Sequence, residues 1–363
     1  MIVIGADIHK SSHALAAVSG DGGTIAGELE IRADEAGHRA ALCWARGLDA
    51  ERVWAIEDCR HLSRRFEETL IAAGERVVRV PPGMMGQARR GEREPGKSDQ
   101  IDARAVARAV VREGVDRFAA AFLDERALEI RLLADHRSDL VAERTKQINR
   151  LRWHLVDLCP ELEAQIPARR LDSGVVLDRI ARRLRREERT ARTRVALELV
   201  ASIRAISSRA RGLERELHSL IMTYRPALLA ERGLGVLTAA TLIGRTAGAE
   251  RFPTDAHFAR QAGVAPIPVS SGRKDRHRLH RGGDRQLNRA LHVIAITRAR
   301  IDPETRAYME RKRSEGKTNR EALRCLKRHL ARQIHRLLSM PPTNPDHRPR
   351  IQQNTAISVA CLT

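Results

Sequence analysis

The sequence predicts a mixed α/β domain at its N-terminal end and a mainly helical remainder. Strand-like apolar runs alternate with helical periodicity only as far as about residue 118. Apolar residues then recur at helical spacing alone, first over 124–220 and again over 285–340. A chain of 363 residues has room for two or three domains with a sizeable core.

These patterns divide the chain into four segments. The predicted boundaries are an α/β domain over 1–118, a helical coiled-coil linker over 119–222, a mainly helical C-terminal domain over 223–340 and a tail over 341–363. We expect the tail to be disordered because it is polar and lacks apolar periodicity.

The α/β segment opens with three strands and then alternates helix and strand. The predicted strands are 2–8, 13–19, 24–31, 53–56 and 76–80, and the predicted helices are 33–46, 61–73 and one that begins near residue 98. Three hairpin-linked strands followed by helix, strand, helix, strand and helix match the ribonuclease H-like fold, whose first strand carries an aspartate. We expect the basic, glycine-rich stretch 83–96 to form a mobile loop beside that aspartate.

Four carboxylates lie at the ends of these predicted elements. Asp7 ends the first strand and Glu57 ends the fourth, while Asp99 and Asp102 open the last helix three residues apart, on one face. Four carboxylates brought together would repel one another unless cations lay between them, so the pattern predicts a two-metal nuclease site. Taken alone, the Asp-x-x-Asp pair has a simpler interpretation, in which Ser98 or Asp99 caps the helix and the acids favour its positive end.

The charge of the chain points to a polyanionic partner, most simply nucleic acid. Its formal net charge is +20 and its pI is about 11.0, with Arg far outnumbering Lys. Aromatic residues make up only 3%, which predicts phosphate contacts by Arg rather than base stacking as the main mode of binding. A ribosomal or chromatin protein would share the charge but not the paired acids or the large apolar fraction.

The sequence argues against disulfide, zinc and membrane-spanning architectures. Its cysteines, Cys43, Cys59, Cys159, Cys325 and Cys361, are scattered, without a Cys-x-x-Cys or a His/Cys cluster at zinc spacing. No apolar run approaches the ~20 residues needed to cross a bilayer, and no signal peptide is expected before the first strand. We therefore expect a cytoplasmic protein in a reducing compartment.

The linker carries the pattern of a coiled coil. The apolar residues of its second half step alternately by four and three, at Leu199, Ile203, Ile206, Ala210, Leu213, Leu217 and Leu220. An earlier apolar stripe over 133–158 predicts a second arm, antiparallel to the first and joined to it by the charged stretch 182–194. An ordinary helical bundle is the alternative, and the pattern leaves open whether its partner lies in this chain or another. We favour an oligomerisation arm.

A glycine turn in the C-terminal segment is a candidate phosphate contact. Gly233-Leu234-Gly235 precedes a helix of small residues and resembles half of a helix-hairpin-helix, whose backbone amides can hold a phosphate. A tight connection between two helices is the simpler interpretation of the same residues.

A serine next to glycine follows further along the chain, in Ser270-Ser271-Gly272, with a cationic run directly behind it. The small neighbour gives access to the serine, and nearby Arg side chains lower the cost of negative charge on its oxygen and on a phosphate. A solvated basic loop is the alternative. The predicted nucleic-acid contacts are Gly233, Gly235, Arg273, Lys274, Arg276, Arg278, Arg281, Arg285 and Arg289.

Together these residues resemble the DEDD-type transposases of the insertion sequence 110 family, from Met1 to about Leu338. The likeness is carried by the opening strand 4–10, by Glu57 with 97–103, and by 233–235, 252–253, 262–266, 271–272 and 282–283. No single motif is specific, whereas their combination in this order is. In this family an N-terminal RuvC-like domain and a C-terminal transposase domain are joined by a coiled coil.

The resemblance implies a site-specific DNA recombinase that excises and inserts its own element. It implies that Asp7, Glu57, Asp99 and Asp102 bind a divalent metal, Mg²⁺ or Mn²⁺, beside the scissile phosphate. It implies that Ser271 attacks DNA to give a covalent phosphoserine intermediate. It also implies a structured guide RNA that pairs with donor and target DNA, and a dimer or tetramer whose composite sites join two domains, of one subunit or of different subunits.

The chain departs from the family pattern at three places. Asp284 follows the paired glycines where the family often has Asn, which puts a side-chain donor role there in doubt. Asp58 directly follows Glu57 and is a rival ligand, although on a strand the two side chains point to opposite faces. Ser270 is a rival nucleophile, and Ser271 is preferred because the serine of the family directly precedes glycine.

Two other classes of function remain open. In a RuvC-like hydrolytic nuclease, water attacks the phosphate and Ser271 only contacts it. In a non-catalytic nucleic-acid-binding protein, the acids cap helices and satisfy basic neighbours. A covalent protein–DNA product separates the recombinase from the nuclease, and metal affinity separates both from the binding protein.

Overall fold

A mixed six-stranded sheet forms the N-terminal part of the protein. The computed structural model describes residues 1–57, 62–81, 98–121, 124–167, 169–246, 248–269, 277–278, 280 and 282–341. The strands are β1 (Ile2–Ile8), β2 (Ser12–Ser19), β3 (Ile25–Arg32), β4 (Arg52–Glu57), β5 (Arg76–Val80) and β6 (Ala119–Ala120). Their order across the sheet is β3-β2-β1-β4-β5-β6. The first three are antiparallel neighbours, whereas β1, β4 and β5 run parallel.

Helices cover both faces of this sheet. Helices α1 (Glu35–Leu48) and α2 (Arg64–Ala72) pack on one face, and α3 (Asp99–Glu113) packs on the other. Side chains alternate along β1 accordingly, since Ile4 belongs to the first core and Val3 to the second. The predicted mixed α/β domain is therefore confirmed, with each strand end within a residue or so of its predicted place.

Small residues bring α3 unusually close to β1. A Cβ atom on Gly5 would lie 2.0 Å from the backbone oxygen of Ala103 and 2.6 Å from the backbone nitrogen of Ala107. Ala14 and Ala16 of β2 complete the contact with Ala103. Because no other residue fits at position 5, this contact fixes the height of α3 along the strand.

The linker forms a long helical hairpin within the chain. Helices α4 (Glu125–Leu158) and α7 (Ala191–Tyr224) run antiparallel, with α5 (Pro160–Ala164) and α6 (Gly174–Leu184) between them. The antiparallel arrangement is shown by two ion pairs, since Asp157 near the end of α4 pairs with Arg192 at the start of α7 at 2.7 Å, and Arg137 near the start of α4 pairs with Glu214 near the end of α7 at 2.5 Å. The predicted charged connection 182–194 is wrong in extent, because α6 continues through Leu184 and α7 begins at Ala191. The apolar seam of α7 packs on α4, so its partner is in the same chain.

Among its described residues, the C-terminal part is helical apart from one short hairpin. It contains α8 (Pro226–Ala230), α9 (Val236–Thr246), α10 (Asp255–Gln261), α11 (Arg285–Ile301), α12 (Pro303–Ser314) and α13 (Asn319–Ser339), with the hairpin of β7 (Ile267–Pro268) and β8 (His277–Arg278). Its core also includes Ala127 and Ile130 of α4 and Leu217 of α7. The ends of the helical hairpin are therefore built into the C-terminal core.

The α/β part contacts the C-terminal part at the C-terminal end of α3. Arg260 forms an ion pair with Glu113 at 2.9 Å, and Arg251 donates a hydrogen bond to the backbone oxygen of Ala120 at 2.7 Å. Cys43, Cys159 and Cys325 are free thiols, while Cys59 and Cys361 lie outside the described residues. None of the helices in the described ranges has the length and apolar character needed to cross a membrane.

Candidate metal centre and nucleic-acid interface

The contact between α3 and β1 places two of the predicted acids side by side. Asp7 lies two residues beyond Gly5 on the same face of β1, about 6.6 Å along the strand. Asp99 lies four residues before Ala103, about 6 Å along the helix. Ser98 caps α3 through a hydrogen bond that its Oγ accepts from the backbone nitrogen of Ile101 at 3.3 Å. Of the two predicted caps, Ser98 is therefore the one used.

His9 joins these two carboxylates. Its Nε2 lies 3.1 Å from Asp7 Oδ2 and 3.3 Å from Asp99 Oδ1. Ligand atoms of the three residues all lie within 4.8 Å of one another, close enough to share a metal ion. His9 is not among the site residues predicted from the sequence. The Asp-x-His spacing could have indicated it, because side chains two residues apart at the end of a strand project to one side.

Asp102 and Glu57 lie around this group. Asp102 is 6% exposed and follows Asp99 by about one turn of α3. Burial raises the pKa of Asp7, the charge of His9 opposes that rise, and the charges of Asp102 and Asp99 add to it. Ile56 pairs with Ala6 across the parallel strands β4 and β1, so the next residue on each strand, Glu57 and Asp7, are neighbours at the edge of the sheet. Glu57 lies on the face of the sheet that α3 covers. It is outside the close group of three.

The donor set fits a divalent cation. Carboxylate oxygens are the ligands preferred by Mg²⁺ and Mn²⁺, and an imidazole nitrogen is accepted more readily by Mn²⁺. The pKa of Asp7 is raised mainly by burial and to a smaller extent by the charges of Asp102 and Asp99, and a bound cation would offset both effects. Asp7, Asp99 and His9 are the residues that geometry brings together for this purpose, with Asp102 and Glu57 adjacent.

The predicted glycine turn has a packing role. Gly233 has φ +79, and a Cβ there would lie 3.0 Å from Arg298 Cγ. Arg298 donates hydrogen bonds to the backbone oxygen of Arg232 at 2.6 Å and to Glu231 at 2.8 Å. These contacts support the interpretation as a tight connection between helices. Gly235 has open space around it, and its contact with nucleic acid stays a prediction.

The described basic residues of the predicted interface are exposed. Arg278 ends β8, and Arg285 and Arg289 lie one turn apart on α11. Asp284 caps α11 by accepting hydrogen bonds from the backbone nitrogens of Gln286 and Leu287, at 2.7 and 3.0 Å, which accounts for an acid there. The remaining predicted residues lie outside the described ranges: Asp58, Ser270, Ser271, Arg273, Lys274, Arg276, Arg281, the stretch 83–96 and nearly all of the tail.

Comparison with known proteins identifies the family. Residues 4–160 match the DEDD transposase family of the IS110 type, and residues 226–310 match the transposase IS116/IS110/IS902 family. The 43.6 kDa protein of insertion element IS110 from Streptomyces coelicolor is 31% identical, over 69% of this chain and 73% of that protein. The chain belongs to the IS110 family of insertion-element transposases.

Two further relatives extend the match over most of the length. The 44.8 kDa protein of insertion element IS116 from Streptomyces clavuligerus is 29% identical, over 90% of this chain and 92% of that protein. The 42 kDa protein of insertion element IS900 from Mycobacterium paratuberculosis is 27% identical, over 89% of this chain and 92% of that protein. Membership of this transposase family indicates a DNA-recombining enzyme, and the predicted family is confirmed.

Proposed function

We propose that this transposase cuts and rejoins the DNA of its own insertion element through a serine nucleophile, Ser271, assisted by a metal site at the edge of the N-terminal sheet. The observation that carries the proposal is the convergence of Asp7, His9 and Asp99 within 4.8 Å. We also propose that the sheet is of the RuvC or ribonuclease H type. Its strand order and its antiparallel β2 support that assignment.

The four acidic residues share one part in this mechanism. Asp7, Asp99, Asp102 and Glu57 would hold one or two divalent ions, Mg²⁺ or Mn²⁺. A bound ion supplies Lewis acidity toward the scissile phosphate. Asp102 is buried and Gly5 lies in close contact with α3, so the carboxylates would be held at a fixed separation. Their side chains would then need little rearrangement when the substrate binds.

The covalent step belongs to the serine. Ser271 Oγ forms a bond to the phosphorus, the bond to one deoxyribose oxygen breaks, and the serine proton ends on that leaving oxygen. The resulting phosphoserine keeps the energy of the phosphodiester, so a hydroxyl of the partner strand can reverse the step and rejoin the DNA. Basic residues of the C-terminal segment would lower the cost of the phosphate charge.

A structured guide RNA is the proposed source of target specificity. The net charge of +20 and the aromatic content of 3% support a protein that reads backbone and shape while base pairing reads sequence. We propose an assembly with an even number of subunits, because recombination brings two DNA sites together.

The alternative function is a metal-dependent nuclease in which water attacks the phosphate. One observation favours this alternative: among the described residues, the group of Asp7, His9 and Asp99 comes from the end of β1 and the start of α3. In that case Ser271 would only contact phosphate.

A strand-exchange assay tests the proposal. The protein is incubated with the element ends, its flanking non-coding RNA and Mg²⁺, denatured, and probed for protein covalently attached to DNA. We expect an adduct with the wild type and with Ser270→Ala, and none with Ser271→Ala. Cleavage without an adduct in all three proteins would instead assign the chemistry to the acids and water.

A further inference from the structure

A basic cleft in the C-terminal part is formed mostly by residues outside the predicted sites. It is bounded by the β7–β8 hairpin, α12 and α13, and its volume is about 880 Å³. Six Lys or Arg residues line it, against two Glu: Arg278, Lys312, Lys317, Arg324, Lys327 and Arg328, with Glu315 and Glu321. Of these residues, Arg278 alone is a predicted nucleic-acid contact.

Both acids of the cleft are already engaged. Glu315 accepts hydrogen bonds from Lys312 Nζ at 2.7 and 2.9 Å, and Glu321 accepts from the backbone nitrogen of Thr318 at 2.8 Å as part of the cap of α13. Among the described residues, no carboxylate lies within ion-pair distance of Lys317 or Arg324. The cleft therefore presents an excess of positive charge to solvent.

A buried ammonium group forms part of its wall. Lys327 is 6% exposed, and its Nζ donates to Asn288 Oδ1 at 2.5 Å. Asn288 Nδ2 in turn donates to the backbone oxygens of Ala262 and Gly263, at 3.1 and 2.9 Å. Gly263 is packed against Gly283, where an added Cβ would lie 2.3 Å from the Gly263 nitrogen. The position of the ammonium is thus set by a rigid part of the core.

The ammonium has no counter-charge within the described chain. Burial and, to a smaller extent, the positive charge of Arg324 together lower the pKa of Lys327 to about 8, and no described carboxylate contacts its ammonium group. At neutral pH the group is still mostly protonated, and it carries its charge at a cost to stability. A charged group with a shifted pKa in the wall of a cleft is a candidate functional residue, and its positive charge suits an anion.

We propose that this cleft binds the phosphodiester backbone of a nucleic acid, with Lys317 and Arg324 at its rim and Lys327 in its wall. The inference rests on the proposed function, since it locates where DNA or guide RNA is held in the C-terminal part. The two sources share the same phosphate chemistry, and the experiment separates them.

Equilibrium binding tests the cleft without requiring catalysis. Fluorescence anisotropy is measured in EDTA with a short DNA duplex and an RNA duplex of the same sequence, at several salt concentrations. The rim variant is Lys317→Gln/Arg324→Gln. Its matched control is Arg211→Gln/Arg215→Gln, which removes the same charge from exposed positions of α7.

We expect the rim variant to raise Kd on the order of 10- to 100-fold, and to reduce the slope of log K against log salt for duplex DNA by about 1.8. The control is expected to change Kd less than threefold or so. If the rim variant binds only one of the two duplexes more weakly, that duplex identifies whether DNA or RNA occupies the cleft. A rim variant no weaker than the control on either duplex overturns the proposal.

Lys327→Met tests the buried group separately. We expect weaker binding at a melting temperature equal to or above that of the wild type, because a buried charge is removed. Unchanged binding by a folded Lys327→Met variant would remove Lys327 from the site. A wild type that binds through the cleft but gives no adduct contradicts only the proposed recombinase. Adduct formation with binding insensitive to the rim variant contradicts only the cleft.

Discussion

At the scale of single residues, the proposed chemistry depends on a few side chains at the edge of the sheet. Asp7 is half-buried, and its neighbours His9 and Asp99 hold it in a small network of charges. Each carboxylate alone resembles a helix cap or a strand end, and it is their juxtaposition that favours metal binding.

Asp7→Asn separates catalysis from nucleic-acid binding, because it keeps the shape of the side chain and removes its charge. We expect strand exchange to fall on the order of 10²-fold or more, while Kd for duplex DNA in EDTA changes little. The matched control is Asp116→Asn, a highly exposed acid of the same domain that pairs only with Arg76 among described residues. An equal loss of DNA binding and strand exchange would contradict these separate roles.

At the level of secondary-structure elements, the proposed metal centre depends on how closely α3 approaches β1. The approach is set by Gly5, whose missing side chain lets the backbone of α3 lie against the strand. Asp99 is carried by that helix and Asp7 by that strand, so a shift of one element moves the two carboxylates apart.

Gly5→Ala tests this coupling. The added methyl group must displace α3, so we expect the free energy of unfolding to fall by roughly 1–3 kcal/mol and Mn²⁺ binding, measured by calorimetry, to weaken. Gly22→Ala is the control, since no atom lies within 4 Å of the added Cβ. Gly5→Ala protein that binds Mn²⁺ as the wild type does would show that the approach is not required.

The opposite face of the sheet contains a buried pair of histidines. His13 on β2 and His38 on α1 stack with ring centroids 5.4 Å apart, and their Nε2 atoms lie 3.3 Å apart beside Phe66. Burial lowers the pKa of both rings. Two neutral rings can share one hydrogen bond at this distance, whereas two protonated rings would repel.

This pair makes stability fall in acid. In the unfolded chain the two histidines bind protons near pH 6.5, whereas in the folded protein their lowered pKa keeps them neutral to lower pH. The folding free energy is therefore unaffected by protonation of this pair above about pH 6.5, and the protein loses stability as the pH falls below that value. We expect His13→Gln/His38→Gln to reduce the slope of unfolding free energy against pH between 6.5 and 5, by up to about 1.4 kcal/mol per pH unit for each proton. Exposed His218→Gln serves as control. An unchanged slope in the double variant would contradict the prediction.

In the whole molecule, the two ends of α3 face different surroundings. Asp99 and Asp102 lie at its beginning, whereas Glu113 at its end contacts Arg260 of the C-terminal part. Fourteen residue steps along an α-helix are about 21 Å. The ion pair between Glu113 and Arg260 is therefore remote from Asp99 along the helix. That a second subunit completes a composite site stays a prediction.

Complementation tests this arrangement. We expect Asp7→Ala and Ser271→Ala proteins, each inactive alone, to recover strand exchange when they are mixed and allowed to assemble, because one subunit supplies the acids and another the serine. A mixture of Asp7→Ala with Asp99→Ala is the control and should stay inactive. No recovery in mixed assemblies that are shown to form would place both parts of a site in one chain.

Several features followed from the sequence alone. The strands, the helices and the places of Asp7, Glu57, Asp99 and Asp102 at their ends were predictable, because backbone periodicity and turn residues act over a few neighbours. The charge of +20 likewise requires no fold to indicate an anionic partner.

Only the tertiary structure decided which distant residues meet. The position of His9 between Asp7 and Asp99, the pairing of α7 with α4 in the same chain, and the burial of Lys327 beside Asn288 all join residues far apart in sequence. Periodicity indicates which side of an element is apolar. It does not indicate which other element covers that side, or where along its length the two elements meet. Those choices depend on the packing of whole surfaces, such as the Gly5 contact, that no local pattern encodes.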